Sequence, residues 1–125
     1  MFASFALGAA ISETAKASAL IMLAIMNAAR LDAPLELSAD LVARAERRAQ
    51  HFCSHPMSHD GWQAYFENTS YSVMAENLAK GHRDAASAQT ALLGSPPHRA
   101  NILNRAFRRV GIGYACHVYV QFFAD

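Results

Sequence analysis

Apolar positions keep a helical period through the first part of this chain and alternate with period two at its end. From Lys16 to Leu31 the segment KASALIMLAIMNAARL places Ala17, Leu20, Ile21, Ala24, Ala28 and Leu31 at the i, i+3, i+4 spacing of one helical face, and Met22, Leu23 and Met26 fill the flanks. The spacing predicts a helix buried on most of its sides. Pro34 ends it, because proline has no amide hydrogen and pushes Ala33 out of helical geometry. Ser38 then supplies an N-cap with Asp40 in the first turn. Behind it Leu41, Val42, Ala45, Ala49 and Phe52 form one apolar stripe, which assigns Arg44, Arg47 and Arg48 to the opposite, solvated face. Pro56 disfavours helix at His55, so this second helix is expected to stop near Cys53 or Ser54.

Beyond it the pattern is shorter in range. GWQAYFEN reads as a helical turn, and SYSVMAENLAKG as a loop running into an extended segment. Asp84 caps a predicted helix over Ala85 to Leu93 that Gly94 ends. Ser95 is the expected N-cap of another short helix, with Pro96 at the first helical position that tolerates proline. The tail VGIGYACHVYVQFFAD alternates with period two, placing Val110, Ile112, Tyr114, Cys116, Val118, Val120 and Phe122 on even positions. Sixteen residues exceed an ordinary strand, so a hairpin is predicted with its turn near Ala115 and Cys116.

Composition narrows the function classes. At 125 residues, 53% of them apolar and 17% charged, the chain is long enough for one buried core. A formal charge of +1 excludes a broad phosphate-binding surface, and the arginines at 44, 47 and 48 and at 105, 108 and 109 read as solvated faces, so no nucleic-acid partner is expected. The stretch MFASFALGAAIS is apolar like a secretion leader but has no basic start. Residues 1–18 are taken as an N-terminal segment, either a leader remnant or the start of the first helix, and 19–125 as the domain. The apolar run of residues 19–26 is too short to cross a membrane, so no transmembrane segment is expected. Cys53 and Cys116 match no metal or redox spacing; one disulfide in an oxidising compartment and two small buried side chains both remain open.

Candidate chemistry sits at element boundaries. His51, His55 and His59 recur every fourth residue, but Pro56 separates the second from the third, so they do not form one helical face. His59, Glu76 and His98 each stand at a loop or element end, where functional residues concentrate. Two imidazoles and a carboxylate are a suitable set for zinc, with a fourth position left to water, provided the fold brings them together. The ordinary alternatives are a turn histidine at 59, a backbone-capping Glu76 and a first-turn helix residue at 98. A Ser95/His98 nucleophile and base pair is weaker, since Ser95 is expected to cap the helix. His51 and His55 form a two-residue pair at a frayed helix end.

In order, HDGW, AENLA, SPPHRANIL and VGIG, preceded by NAAR and PLELSADLVARAERRAQ and followed by YVQFF, resemble the segments of the CAP superfamily over roughly residues 20 to 124. That family comprises the cysteine-rich secretory proteins, antigen 5 and the plant pathogenesis-related proteins; its domain is also called SCP, and the likeness is greatest to short microbial members. The resemblance implies an α+β fold, an α-β-α sandwich with helices flanking a small antiparallel sheet, in a secreted or periplasmic protein. It also implies a cleft in which His59, Glu76 and His98 converge and bind zinc or another divalent ion. The implied partner is an extracellular ligand or protein, with lipid or sterol as an alternative. A catalytic activity is not implied, although a metal-assisted hydrolase with Glu76 as base is a third alternative. His55 competes with His59, because Ser-His occurs twice in CSHPMSHDG. Leu92 and Tyr119 stand where the family usually has tryptophan, and DAASAQTALLG lacks the second acid of many animal members, apart from the distant Asp84.

Overall fold

The computed structural model describes residues 12–125, so most of the N-terminal segment lies outside the described residues. Helix α1 runs Glu13–Ala29, with the Ser12 hydroxyl accepting the Ala15 amide at 3.0 Å. Strand β1 (Glu36–Leu37), helix α2 (Ala39–His51), a 3-10 turn (Trp62–Phe66) and strand β2 (Met74–Lys80) follow. Helices α3 (Ala85–Gly94) and α4 (Pro96–Leu103) and strands β3 (Arg109–Ala115) and β4 (Val118–Ala124) complete the chain. Ser38 and Asp84 cap α2 and α3 through the amides of Leu41 and Ser87, as their positions predict.

The sheet order is β1-β3-β4-β2. β4 is antiparallel to both β3 and β2, whereas β1 runs parallel to β3, so the sheet is mixed and not wholly antiparallel. Both faces are covered. On one, Met22 and Met26 of α1, Ala88 and Leu92 of α3 and Ile102 of α4 close on Val110, Ile112, Tyr119 and Phe123. On the other, Leu41, Ala45 and Ala49 of α2, with Phe52 and Phe66, close on Leu78, Val118, Val120 and Phe122. This is an α-β-α sandwich.

The hairpin explains a misleading stripe. Ala115 pairs with Val118, leaving Cys116 and His117 as a two-residue turn, both at positive φ (49° and 67°), the geometry of a type I′ turn. Val110 therefore pairs with Phe123, and even positions of β3 share a face with odd positions of β4. What alternates strictly in sequence divides between two faces, and both are buried. The odd positions of β3 that meet α2 are Gly111 and Gly113, where an added Cβ would lie 2.1 Å from the Leu41 carbonyl carbon and 2.4 Å from that of Ala45. Helix α2 thus rests its backbone directly on β3, and only glycine leaves room for it.

α1 also differs from its pattern. Ala15, Ser18, Ala19, Met22 and Met26 face inward, while the predicted stripe of Ala17, Leu20, Ile21, Ala24, Ala28 and Leu31 is exposed. A helix apolar all round carries no phase in its periodicity, so contacts with the sheet and α3 choose the buried side. At its end, buried Arg30 donates to the carbonyls of Ala33, Ile102, Asn104 and Phe107 at 2.7–2.9 Å, tying the exit of α1 to that of α4. Cys53 and Cys116 form a disulfide, with Cα atoms 5.3 Å apart, joining the exit of α2 to the hairpin turn.

Candidate functional site

Glu76 lies on β2 opposite Phe122, on the face covered by α2. Its side chain is buried but makes three close contacts, two with Arg48 and one with His59. Arg48 Nε donates to Oε2 at 2.7 Å, Arg48 Nη2 to Oε1 at 3.3 Å, and His59 Nδ1 sits 2.9 Å from Oε1. The remaining donors of Arg48 reach the loop that carries His59, bonding the Ser58 carbonyl at 2.7 Å and the Asp60 carbonyl at 3.3 Å. Its guanidinium lies over the rings of Phe52 and Tyr65, 4.7 and 5.3 Å from their centroids. A buried ion pair survives only when its lone pairs and protons are satisfied, and here they are.

Arg48 is the residue that sequence reasoning misplaced. It is 1% exposed, not solvated. The signal was present: Leu41, Ala45, Arg48, Ala49 and Phe52 follow i, i+4, i+7, i+8, i+11, so the arginine occupies a slot of the buried stripe itself.

His59 and Glu76 are in direct contact, and 58% of the His59 side chain faces solvent. His55 is turned elsewhere. Its Nδ1 lies 3.0 Å from Ser54 Oγ and 3.1 Å from the His51 carbonyl, and its ring stacks on His51 with centroids 4.0 Å apart. His98 sits in the first turn of α4, half-buried, its carbonyl accepting from Asn77 Nδ2 at 3.2 Å. Burial holds the His98 imidazole below its ordinary pKa, and the charge of His59 adds to the effect.

Ser95 stands at the N-cap of α4, with Pro96 first in the helix as expected, but its side chain makes no capping bond. Its hydroxyl lies 2.8 Å from His98 Nδ1 instead. Among the described residues no carboxylate bonds the His98 ring, so the contact lacks the third group that orients the base of a triad. Glu76 is equally unsuited to general-base work: its side chain is 1% exposed and both oxygens are held by Arg48.

Behind the site the opposite face of the sheet holds a second polar chain, unforeseen from sequence. Asn101 Nδ2 donates to Asn77 Oδ1 at 2.9 Å, Asn77 Nδ2 to Gln121 Oε1 at 3.3 Å, and Gln121 Nε2 to Gln89 Oε1 at 2.6 Å. It ties α4 to α3 through the two strands and fixes the backbone on which His98 stands.

Among the described residues no group of three His, Cys, Asp or Glu side chains is placed to hold a metal ion. Both Nδ1 atoms have partners, Glu76 for His59 and Ser95 for His98, so each ring is anchored at one nitrogen and has Nε2 left to offer.

The cysteine-rich secretory protein family model, CAP, matches residues 26–123, which takes in Arg48, His59, Glu76 and His98. The chain belongs to the CAP family. Its fold is similar to that of an extracellular SCP-domain protein from Bacillus anthracis, with a TM-score of 0.82 at 22% identity over 89% of this chain and 41% of that one. A cysteine-rich secretory protein from Staphylococcus aureus gives 0.81 at 17% identity, covering 92% and 40% respectively. The Bacillus subtilis protein YkwD, described as uncharacterized, is 42% identical over 45 residues, 36% of this chain and 18% of that protein. This CAP chain therefore spans about two fifths of the two solved relatives and less than a fifth of YkwD. No helix of the described residues is long and apolar enough to cross a membrane.

Proposed function

We propose that this CAP domain acts outside the cytoplasm and binds a divalent metal ion through His59 and His98, with Glu76 orienting His59. The observation that carries this reading is the contact between His59 Nδ1 and the Glu76 carboxylate at 2.9 Å. A carboxylate on one imidazole nitrogen fixes the tautomer and raises the basicity of the other, the usual arrangement behind a metal-binding histidine. Imidazole donors suit zinc first, and Glu76, whose charge Arg48 balances, acts from behind the ligand. When bound, the ion would supply Lewis acidity and a site for water or ligand oxygen. The disulfide and the extracellular and secretory descriptions of the two solved relatives support placement in an oxidising, exported setting.

Lipid binding finds less support. The apolar cleft between α1, β1 and α2 holds about 230 Å³, below the roughly 300–1,000 Å³ of typical ligand sites. Zinc titration by calorimetry separates metal binding from a purely structural network. The native chain is expected to bind, Glu76→Gln to bind about 10–100-fold more weakly, and the His59→Ala/His98→Ala double variant not at all. Equal responses from the native and doubly substituted chains would leave the Arg48–Glu76–His59 contacts as a loop latch without a metal.

A further inference from the structure

Among the described residues two arginines are buried, Arg48 and Arg30. Glu76 neutralises Arg48, whereas no carboxylate of the described residues forms an ion pair with Arg30. Four of the five Arg30 N–H groups donate to the carbonyls of Ala33, Ile102, Asn104 and Phe107, and the fifth, on Nη2, has no partner among the described residues. Carbonyl dipoles solvate a guanidinium without cancelling its charge. A buried charge without a counter-ion is costly, and proteins ordinarily pair it. Asp32, two residues on, is committed elsewhere, since both of its oxygens accept from Arg105 Nη2, at 2.6 and 2.8 Å. Residues 1–11 contain no Asp or Glu to take its place.

Arg30 lines a cleft of about 390 Å³ between the loop that leaves α1 and the loop that enters β3, together with Asp32, Pro34, Arg105, Phe107 and Arg108. A second cleft, of about 250 Å³, shares Arg30, Asp32 and Arg105 with it. Arg108 is exposed, and neither it nor Glu36, whose amide bonds the Arg108 carbonyl, makes an ion pair among the described residues. Three arginines facing one aspartate leave two positive charges of the larger cleft uncancelled. Burial first, and then the charge of Arg105, hold the Arg30 guanidinium below its ordinary pKa against the pull of Asp32, the mark of an unrelieved positive field.

We propose that this cleft is a phosphate site, in which the phosphate of a phosphorylated ligand lies against Arg105 and Arg108 and supplies the counter-charge that Arg30 lacks. A phosphate monoester carries about −1.5 to −2 charges at neutral pH, which matches the excess. The planar forks of arginine bind phosphate oxygens in pairs. The cleft falls within the roughly 300–1,000 Å³ of small-molecule sites, so the rest of the ester has room. Chloride or a single carboxylate would leave half of the excess standing. A local site of this kind is compatible with a chain whose formal charge is only +1. It shares no residue with His59, Glu76 or His98, so the inference is independent of the metal reading.

NMR of the full chain, with EDTA present to exclude metal, tests the site through the amides of residues 30–33 and 105–108. Inorganic phosphate is expected to give saturable shifts there, and chloride at the same ionic strength none. Arg108→Gln, at an exposed position, raises the phosphate Kd by about tenfold, the loss of one hydrogen bond to a charged group. Asp32→Asn removes the competing carboxylate and frees Arg105, so it lowers the Kd by about tenfold, a gain that a damaged fold does not give. The proposal is overturned by shifts that chloride reproduces, by shifts that do not saturate, or by a Kd that neither substitution moves. Glycerol 3-phosphate and vesicles containing phosphatidate then separate the sources of the phosphate. Binding to either, weakened by Arg108→Gln, supports the site and says whether its ligand is soluble or membrane-borne; binding to neither overturns it.

Discussion

Arg48→Met is the substitution that weighs the buried network most directly. Methionine suits the slot between Phe52 and Tyr65 but returns none of the four hydrogen bonds that the guanidinium makes to Glu76, Ser58 and Asp60. Removing one member of a buried ion pair leaves the other uncompensated, at a cost of about 3–5 kcal/mol. The freed carbonyls of Ser58 and Asp60 are part-buried and regain water, so they add little. With about 2.1 cal/mol/K of unfolding entropy per residue, a loss of about 4 kcal/mol in a chain of this size lowers Tm by about 15 °C. Thermal and urea unfolding with the disulfide intact read the change. A companion Arg48→Met/Glu76→Leu variant removes both charges and is expected to recover most of the loss, because a well-packed apolar pair commonly equals a buried salt bridge in stability. The reasoning fails if Arg48→Met costs under about 1 kcal/mol, the behaviour of an exposed arginine. It fails also if the double variant is as unstable as the two single losses added, because the two side chains would then not be coupled.

Two further outcomes follow from the packing and from the cleft. Gly113→Ala sets a Cβ 2.4 Å from the Ala45 carbonyl carbon, so α2 must lift off β3; a loss of about 1–3 kcal/mol is expected in urea unfolding, while Gly94→Ala, with nothing within 4 Å, serves as the control. His98, held low by burial and then by His59, is expected to titrate by NMR below the usual imidazole value of about 6.5. A histidine with a lowered folded pKa binds fewer protons folded than unfolded, so its contribution is whole above about pH 6.5 and is lost as pH falls through the folded pKa. A midpoint at or above 6.5 contradicts the burial seen for this ring.

Local chemistry was the readable part of the chain. Ser38 and Asp84 cap the helices they precede, and α2 ends at His51, a turn before the Pro56 that was expected to stop it near Cys53 or Ser54. Failures came where several side chains had to be compared in three dimensions. The buried face of α1 is invisible because both of its faces are apolar. The β3–β4 stripe misleads because a two-residue turn exchanges the parity of its strands, and neither Cys116 nor His117 is a usual resident of such a turn. Ser95 reads as a cap until His98 competes for its hydroxyl. At the site, the family likeness chose His59 over His55; His59 lies against Glu76, and His55 against Ser54 and the His51 carbonyl. The role of Arg48 was lost to a single error of helical phase: assigned with the other arginines, it was placed outside, whereas its spacing from Leu41 and Ala45 puts it in the core.

The sheet order has a consequence for how the chain is assembled in time. Its two middle strands are β3 and β4, residues 109–124, while β1 and β2 at the edges come much earlier. A growing chain that has reached Lys80 holds both rims of the sheet and nothing to join them. Its helices have their apolar sides ready but no surface to lie on. Stable structure must wait for the last strand, and a chain stopped a few residues short of Ala124 is expected to lose the whole domain and not just a frayed end. Until β4 is made, the apolar sides of the helices and of the edge strands have no central sheet to close on.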